Sequence, residues 1–184
     1  MKVNRIVLAS RPGIDKEPMP ENFRLEEADL KEELSDGQVL AKTLYLSMDP
    51  YLRYCMNEES AGSYLLIWKI SEVLFSNGIG VIEQSRSNQL KVGDIVSDFN
   101  WPWQTKCISD GSSLKKLDPN LVDGHLSHYL GLLGSTGLTA LLSIREQGHV
   151  TPGPNQRRWW LAVLLVVVVH WLGRLVAFLA VPVL

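Results

Sequence analysis

The sequence predicts a mainly β domain with helices at its C-terminal end. Three observations carry this. Short apolar runs of strand composition recur through residues 1–120, each closed by Gly, Pro, Asn or Asp. One of them, QVLAKTLYL at Gln38–Leu46, alternates well and sets Val39, Ala41, Thr43 and Tyr45 on one face. From residue 121 the spacing turns helical, in Leu126–Leu133 and Leu138–Ile144.

Taken in order, Arg5–Ala9 is a short apolar strand stopped by Arg11-Pro12-Gly13, and Phe23–Ala28 alternates weakly. After Gln38–Leu46 the string SMDPYLR sets a turn at Asp49-Pro50, because proline restricts its predecessor and lacks an N–H. That displays Tyr51 and Arg53 on a loop, where an arginine either holds a phosphate or carboxylate or is a plain surface charge. Strands follow at Gly78–Glu83, Asp94–Phe99 and Thr105–Ile108. Gly78 and Gly80 mark a bend or a close approach within a strand, as at the corner of a barrel. So many short strands with turn residues between them predict a barrel or a sandwich. The aromatics of Phe99-Asn-Trp-Pro-Trp103 either line a flat apolar pocket or form a core edge. Gly131-Leu-Leu-Gly134-Ser-Thr-Gly137 imitates a dinucleotide fingerprint, but a helical pattern precedes it where a strand is required, so a helix–helix joint is expected. Gly148–Gln156 has linker composition.

Bulk properties remove several classes. A net charge of −2 and a pI near 6.1 give no electrostatic case for nucleic acid or anionic lipid. Cys55 and Cys107 are too few for a disulfide framework or a Cys-rich zinc site, so a reducing, cytoplasmic setting is expected. The N-terminal MKVNRIVLASRPG has no cleavable signal pattern. His125 and His128 share a spacing suited to one helix face but have no third ligand, so no metal is expected. No Ser-His-Asp or Cys-His arrangement stands out.

Together the motifs carry a resemblance. GIGVIE followed by KVGDIV resembles the GroES-like barrel domain of the medium-chain dehydrogenase/reductase superfamily. SMDPYLRYCM, FNWPWQT, LDPNLVDGHLSHYLG and GLTALLS look like its zinc-independent prostaglandin reductase branch. The resemblance covers residues 1–156 and implies NADPH-dependent reduction of the C=C bond of 15-keto-prostaglandins and related enones. Hydride adds to the β-carbon, and a phenol suits stabilisation of the enolate oxygen. By the same resemblance Tyr64 is the catalytic and substrate-binding tyrosine, Phe99 and Asn100 contact substrate, and Tyr51 and Arg53 face the cofactor. Asn100 departs from the family, which usually has an aromatic there, and Ser135-Thr136 replaces its common Met-Pro.

Residues 159–184 read differently, as WWLAVLLVVVVHWLGRLVAFLAVPVL. The family continues at this point with a strand and a glycine-rich loop. Read one base early in the genetic code, Trp171–Val176 can give Leu-Ala-Gly-Gln-Ile-Gly, Val166–Val169 can give Gly-Ser-Cys-Gly, and Leu164-Leu165 can give Ala-Ala. Those are residues of the family's missing segment. The tail thus reads as a shifted-frame translation of the nucleotide-binding start. As a membrane anchor it is interrupted by Arg174, which leaves Trp159–Gly173 short of the roughly 20 apolar residues a span needs. The expected organisation is a substrate and catalytic barrel domain at 1–120, connecting helices and linker at 121–156, and an aberrant hydrophobic tail at 157–184 with the Rossmann domain essentially missing. Three functions compete: the enone reductase of the family, a non-catalytic truncated isoform or decoy of the full-length enzyme, and a tail-anchored membrane protein. Failure to bind NADPH and self-association through the tail are expected of this form.

Overall fold

The computed structural model describes residues 1–13, 16–58 and 66–147. Tyr64, the 148–156 linker and the apolar tail lie outside the described residues. The chain divides into two compact units, Met1–Ser127 and His128–Leu184.

The first unit is built from two antiparallel sheets. Strands β1 (Lys2–Leu8) and β2 (Phe23–Asp29) pair along their whole length, from Lys2 opposite Asp29 to Leu8 opposite Phe23. The second sheet has the order β6-β3-β4-β5-β7, from β3 (Gln38–Leu46), β4 (Phe75–Ser85), β5 (Ile95–Pro102), β6 (Lys106–Asp110) and β7 (Lys115–Lys116). A single turn of helix, α1 (Leu52–Cys55), follows β3. The mainly β architecture with C-terminal helices is therefore what the residues form. Backbone bonds knit the sheets together where β1 meets the end of β5: Ile6 N–H donates to the Trp103 carbonyl (2.9 Å), Trp103 N–H to Leu74 (2.7 Å) and Leu74 N–H to Ile6 (3.0 Å).

Two apolar cores result. One gathers Val39, Ala41, Ile82, Leu90, Val96 and Trp101, and the other Leu8, Leu52, Cys55, Trp68, Leu74 and Trp103. Gly78 and Gly80 are explained by the first. The Trp101 indole lies flat along β4 and occupies the space a side chain would need, so a Cβ at either glycine would fall 2.4 Å from its ring or Cβ. The indole N–H donates to Thr43 Oγ1 (2.9 Å), and that hydroxyl donates to the Gln104 carbonyl (2.5 Å), so the ring is fixed in place by polar contacts at its rim. A close approach is thus the reason for glycine here.

The structure corrects several details. Val39 and Ala41 are buried as alternation predicts, but Tyr45 is 45% exposed. A register shift between Thr43 and Tyr45 in the β3–β4 ladder breaks the period of two and turns the tyrosine off the shared face. The strands run longer than their apolar centres, because edge residues add ladder bonds without hydrophobicity. The helix expected at Leu126–Leu133 is a single 3-10 turn, Leu126–Tyr129, while α2 spans Ser135–Leu142 and widens into a π-helical turn at Ser143–Gln147. Among the described residues no helix is long and apolar enough to cross a membrane.

The turn between β4 and β5 is held by Asp94. Its carboxylate accepts from Lys91 N–H (2.9 Å) and pairs with Lys116 (2.7 Å), and Lys116 above all holds the carboxyl below its ordinary range. A depressed carboxyl contributes stability above the unfolded value, and that stability disappears as pH falls through the folded one. Melting temperature should therefore drop on acidification below about pH 4. Asp94→Asn keeps an acceptor for Lys91 and should flatten that drop in melts run from neutral to acid pH. An acid branch identical to the wild type would remove Asp94 from the account.

Candidate functional site

The turn after β3 forms as its sequence dictates. Leu52 N–H closes onto the Asp49 carbonyl (3.1 Å) and Arg53 N–H onto Pro50 (3.1 Å), so SMDPYLR bends into α1 with Tyr51 at its N-terminal edge. Tyr51 is half-buried. Burial first, then the nearby Asp49 carboxylate, pushes its phenol up to about 12, against a backbone hydrogen bond from Asn77 that acts the other way. The phenol is therefore a proton-bearing hydrogen-bond donor across the physiological range.

Arg53 is drawn into the fold. One guanidinium nitrogen donates to Asn57 Oδ1 (2.7 Å), and the other to the carbonyls of Gly13 (2.5 Å) and Lys16 (3.0 Å). It bridges α1 to the loop after β1.

Phe99 and Asn100 sit on β5 where its ladder with β4 is irregular. Ser76 pairs with Trp101 and Gly78 with Asp98, so Asn77 alone stands opposite both Phe99 and Asn100. A bulge re-aims side chains, and here it leaves Phe99 72% exposed while its neighbours Trp101 and Trp103 turn into the two cores. The aromatic cluster thus resolves into one displayed ring and two core rings. Asn100 is exposed, and its N–H is held by Asp98 Oδ1 (3.0 Å).

Asn77 was not apparent in the sequence, yet it joins these pieces. Its carbonyl accepts from Ser47 N–H (2.7 Å), its backbone reaches the Tyr51 phenol, and it faces Phe99 and Asn100. Its side chain is buried with Oδ1 unpaired. The Asn-Gly pair at Asn77-Gly78 was the available signal, since that pair favours irregular backbone. Tyr51 and the Phe99–Asn100 pair are thus each tied to Asn77 near the start of β4, the phenol through its backbone and the pair across the ladder. Neither cysteine offers a nucleophile: both thiols are buried, and burial pushes Cys107 up to about 12.

A phosphate cradle is a separate matter. Around Gly131–Gly137 several amides bond within their own turn: Gly134 and Gly137 N–H both donate to the Gly131 carbonyl (3.2 and 3.0 Å), and Leu138 N–H to Gly134 (3.0 Å). A dinucleotide pyrophosphate sits at a glycine-rich helix start that follows a strand, whereas the 3-10 turn Leu126–Tyr129 precedes this one, so these residues do not fit it.

A family profile for the N-terminal domain of oxidoreductase matches residues 4–117. The NADPH-dependent curcumin reductase of Escherichia coli (strain K12) is 38% identical over 149 residues, 81% of this chain and 41% of that protein. Prostaglandin reductase 1 of Sus scrofa is 31% identical over 130 residues, 70% of this chain and 36% of that protein. Among solved structures, CurA from Vibrio vulnificus in complex with NADPH superposes with a TM-score of 0.69 at 33% identity, over 82% of this chain and 42% of the other. The chain spans about two fifths of the length of the relatives it matches.

Proposed function

Since the chain belongs to the medium-chain dehydrogenase/reductase oxidoreductases and carries their GroES-like N-terminal domain, we propose that its first 120 residues are the substrate domain of an NADPH-dependent enone reductase and that the chain, with residues 157–184 read as a shifted frame, is inactive by itself. The observation that carries the reductase reading is the match to the NADPH-bound CurA structure, 33% identical across most of this chain. Within the family the motifs favour a 15-oxoprostaglandin 13-reductase of the prostaglandin reductase 2 kind, working in the cytoplasm on 15-keto-prostaglandins or related enones.

In this reading Tyr64 donates a hydrogen bond to the enone oxygen, Phe99 packs on the flat conjugated system and Asn100 borders it. Tyr51 lies toward the cofactor side as a neutral donor. Arg53 supports that turn through the Gly13 and Lys16 carbonyls, a structural part in the same region. The cofactor in relatives supplies the hydride. The absence of a strand before the glycine-rich start at Gly131–Gly137, where a 3-10 turn stands instead, supports the view that this chain does not hold it. Residues 1–120 then form the substrate domain, 121–156 the connection, and 157–184 a shifted-frame tail in place of the nucleotide-binding start.

Fluorescence titration of the 184-residue chain with NADPH, followed by an assay with 15-keto-prostaglandin, tests the proposal. The expected result is no saturable binding and no NADPH consumption. Micromolar affinity would overturn the claim of inactivity.

A further inference from the structure

Strand β2 lies at the open edge of its sheet. β1 takes bridges on its other side, at Arg5–Gln104, Val7–Val73 and Leu8–Ile70, whereas among the described residues no strand pairs with the outer side of β2. The phase of the ladder determines which groups are left over. Leu30 N–H donates to the Met1 carbonyl (2.8 Å), the Met1 amine to the Leu30 carbonyl (2.9 Å), and Ala9 N–H to the Asn22 carbonyl (2.8 Å). Bonding alternates along an antiparallel pair, so Arg24, Glu26 and Ala28 turn their amides and carbonyls to β1. Phe23, Leu25, Glu27 and Asp29 turn theirs outward. The Phe23 N–H is taken by the Pro20 carbonyl, but its own carbonyl and both groups of Leu25 and Glu27 face out from the sheet. The Leu25 side chain on this edge is 69% exposed. A row of this kind is a template for a further strand.

We propose that this edge is an interface for a second copy of the chain, with β2 pairing antiparallel to its counterpart about a two-fold axis at Leu25. Outward groups must meet outward groups, so the axis has to pass through a residue rather than between two. At Leu25, that residue exchanges both bonds with the partner's Leu25, the two side chains cover each other, and Glu27 N–H donates to the partner's Phe23 carbonyl. Arg24 then stands opposite the partner's Glu26 on both sides of the axis. Moving the axis to Arg24, Glu26 or Glu27 sets like charges directly opposite, so charge selects the register. Arg24 spends Nε (2.9 Å) and Nη2 (2.6 Å) on its own Glu26, which leaves Nη1 for the carboxylate across the axis. Arg5 and Lys2 offset Glu26 and Glu27 within each copy, so the acids of the two strands do not oppose the approach. One edge pairing buries little area, and a weak dimer follows, with a dissociation constant of about 10–100 µM.

The test is sedimentation velocity on the full 184-residue chain over a concentration series that brackets that value. A monomer–dimer equilibrium is expected. Arg24→Glu and Glu26→Arg each set like charges opposite at two places, and each alone should weaken the dimer at least about tenfold. An equimolar mixture of the two variants has opposite charges at both places, so a heterodimer of near wild-type affinity should return. A wild type that stays monomeric overturns the proposal. So does a dimer that neither reversal weakens, because the contact then lies elsewhere, the apolar tail included, and so does a mixture no tighter than its components. If a charge variant does not fold, Leu25→Cys decides. A hydrogen-bonded pair holds its Cα atoms about 5.5 Å apart, within disulfide reach, so oxidation by diamide should give a covalent dimer. Glu27→Cys lies off the axis and should not be trapped, and the native Cys55 and Cys107 are buried. Trapping at neither position, or equally at both, overturns the proposal. Neither NADPH nor enone enters the measurement, and the interface does not rest on the reductase reading.

Discussion

Gly80→Ala is expected to cost the first unit about 3 kcal/mol of stability. The added methyl would sit 2.4 Å from two atoms of the Trp101 six-membered ring and 2.6 Å from the Lys42 carbonyl oxygen. Neither neighbour can retreat easily. The Lys42 carbonyl belongs to a strand paired on both sides, and Trp101 is 1% exposed with its indole N–H committed to Thr43. Urea denaturation should show the midpoint falling with an unchanged slope. Trp101→Phe in the same chain removes the part of the indole that meets the methyl, so the double variant should lose less than the sum of the singles. A midpoint within about 0.5 kcal/mol of the wild type would show that the close approach is not what selects glycine.

The second large effect is expected at Trp103. Its ring stacks on Phe23 (6.4 Å between centroids) and meets Trp68 edge-on (5.5 Å), and its N–H donates to the buried Ser76 hydroxyl (2.9 Å). Trp103→Ala empties the centre of the second core and leaves Ser76 with a weaker partner, a loss of about 3–5 kcal/mol. Trp103→Phe retains an aromatic body and should cost clearly less. Both are read by chemical denaturation, and equal losses would mean that the ring contacts contribute little.

These two tryptophans show where the sequence was legible and where it was not. Alternation located Gln38–Leu46 to the residue, although Leu40 on the opposite face is buried along with Val39 and Ala41. It misplaced Tyr45, since a register shift leaves no mark on composition. Glycine in GIGVIE announced a close approach without naming the indole, which arrives from β5. Leu126–Leu133 carried helical spacing, yet only Leu126–Tyr129 forms a turn, and α2 starts afresh after Gly134. At the site, the Asp-Pro turn followed from local chemistry, whereas the display of Phe99 rests on the bulge between β4 and β5. Arg53 did not: its partners, Gly13 and Lys16, lie some forty residues away in sequence, beyond the reach of any local pattern. Asn77 escaped for the same reason, because its position depends on which residues of β5 stand opposite.

The Trp101-Pro-Trp103 stretch also has a consequence for how the first unit comes apart. One short length of chain delivers the principal ring of each core, and its backbone is bonded to β1 at Ile6 and to the entry of β4 at Leu74. The second sheet cannot open at this end without withdrawing a ring from each core. The two cores should therefore melt as one cooperative body, with calorimetric and van't Hoff enthalpies in agreement and the slowest-exchanging amides distributed over both sheets.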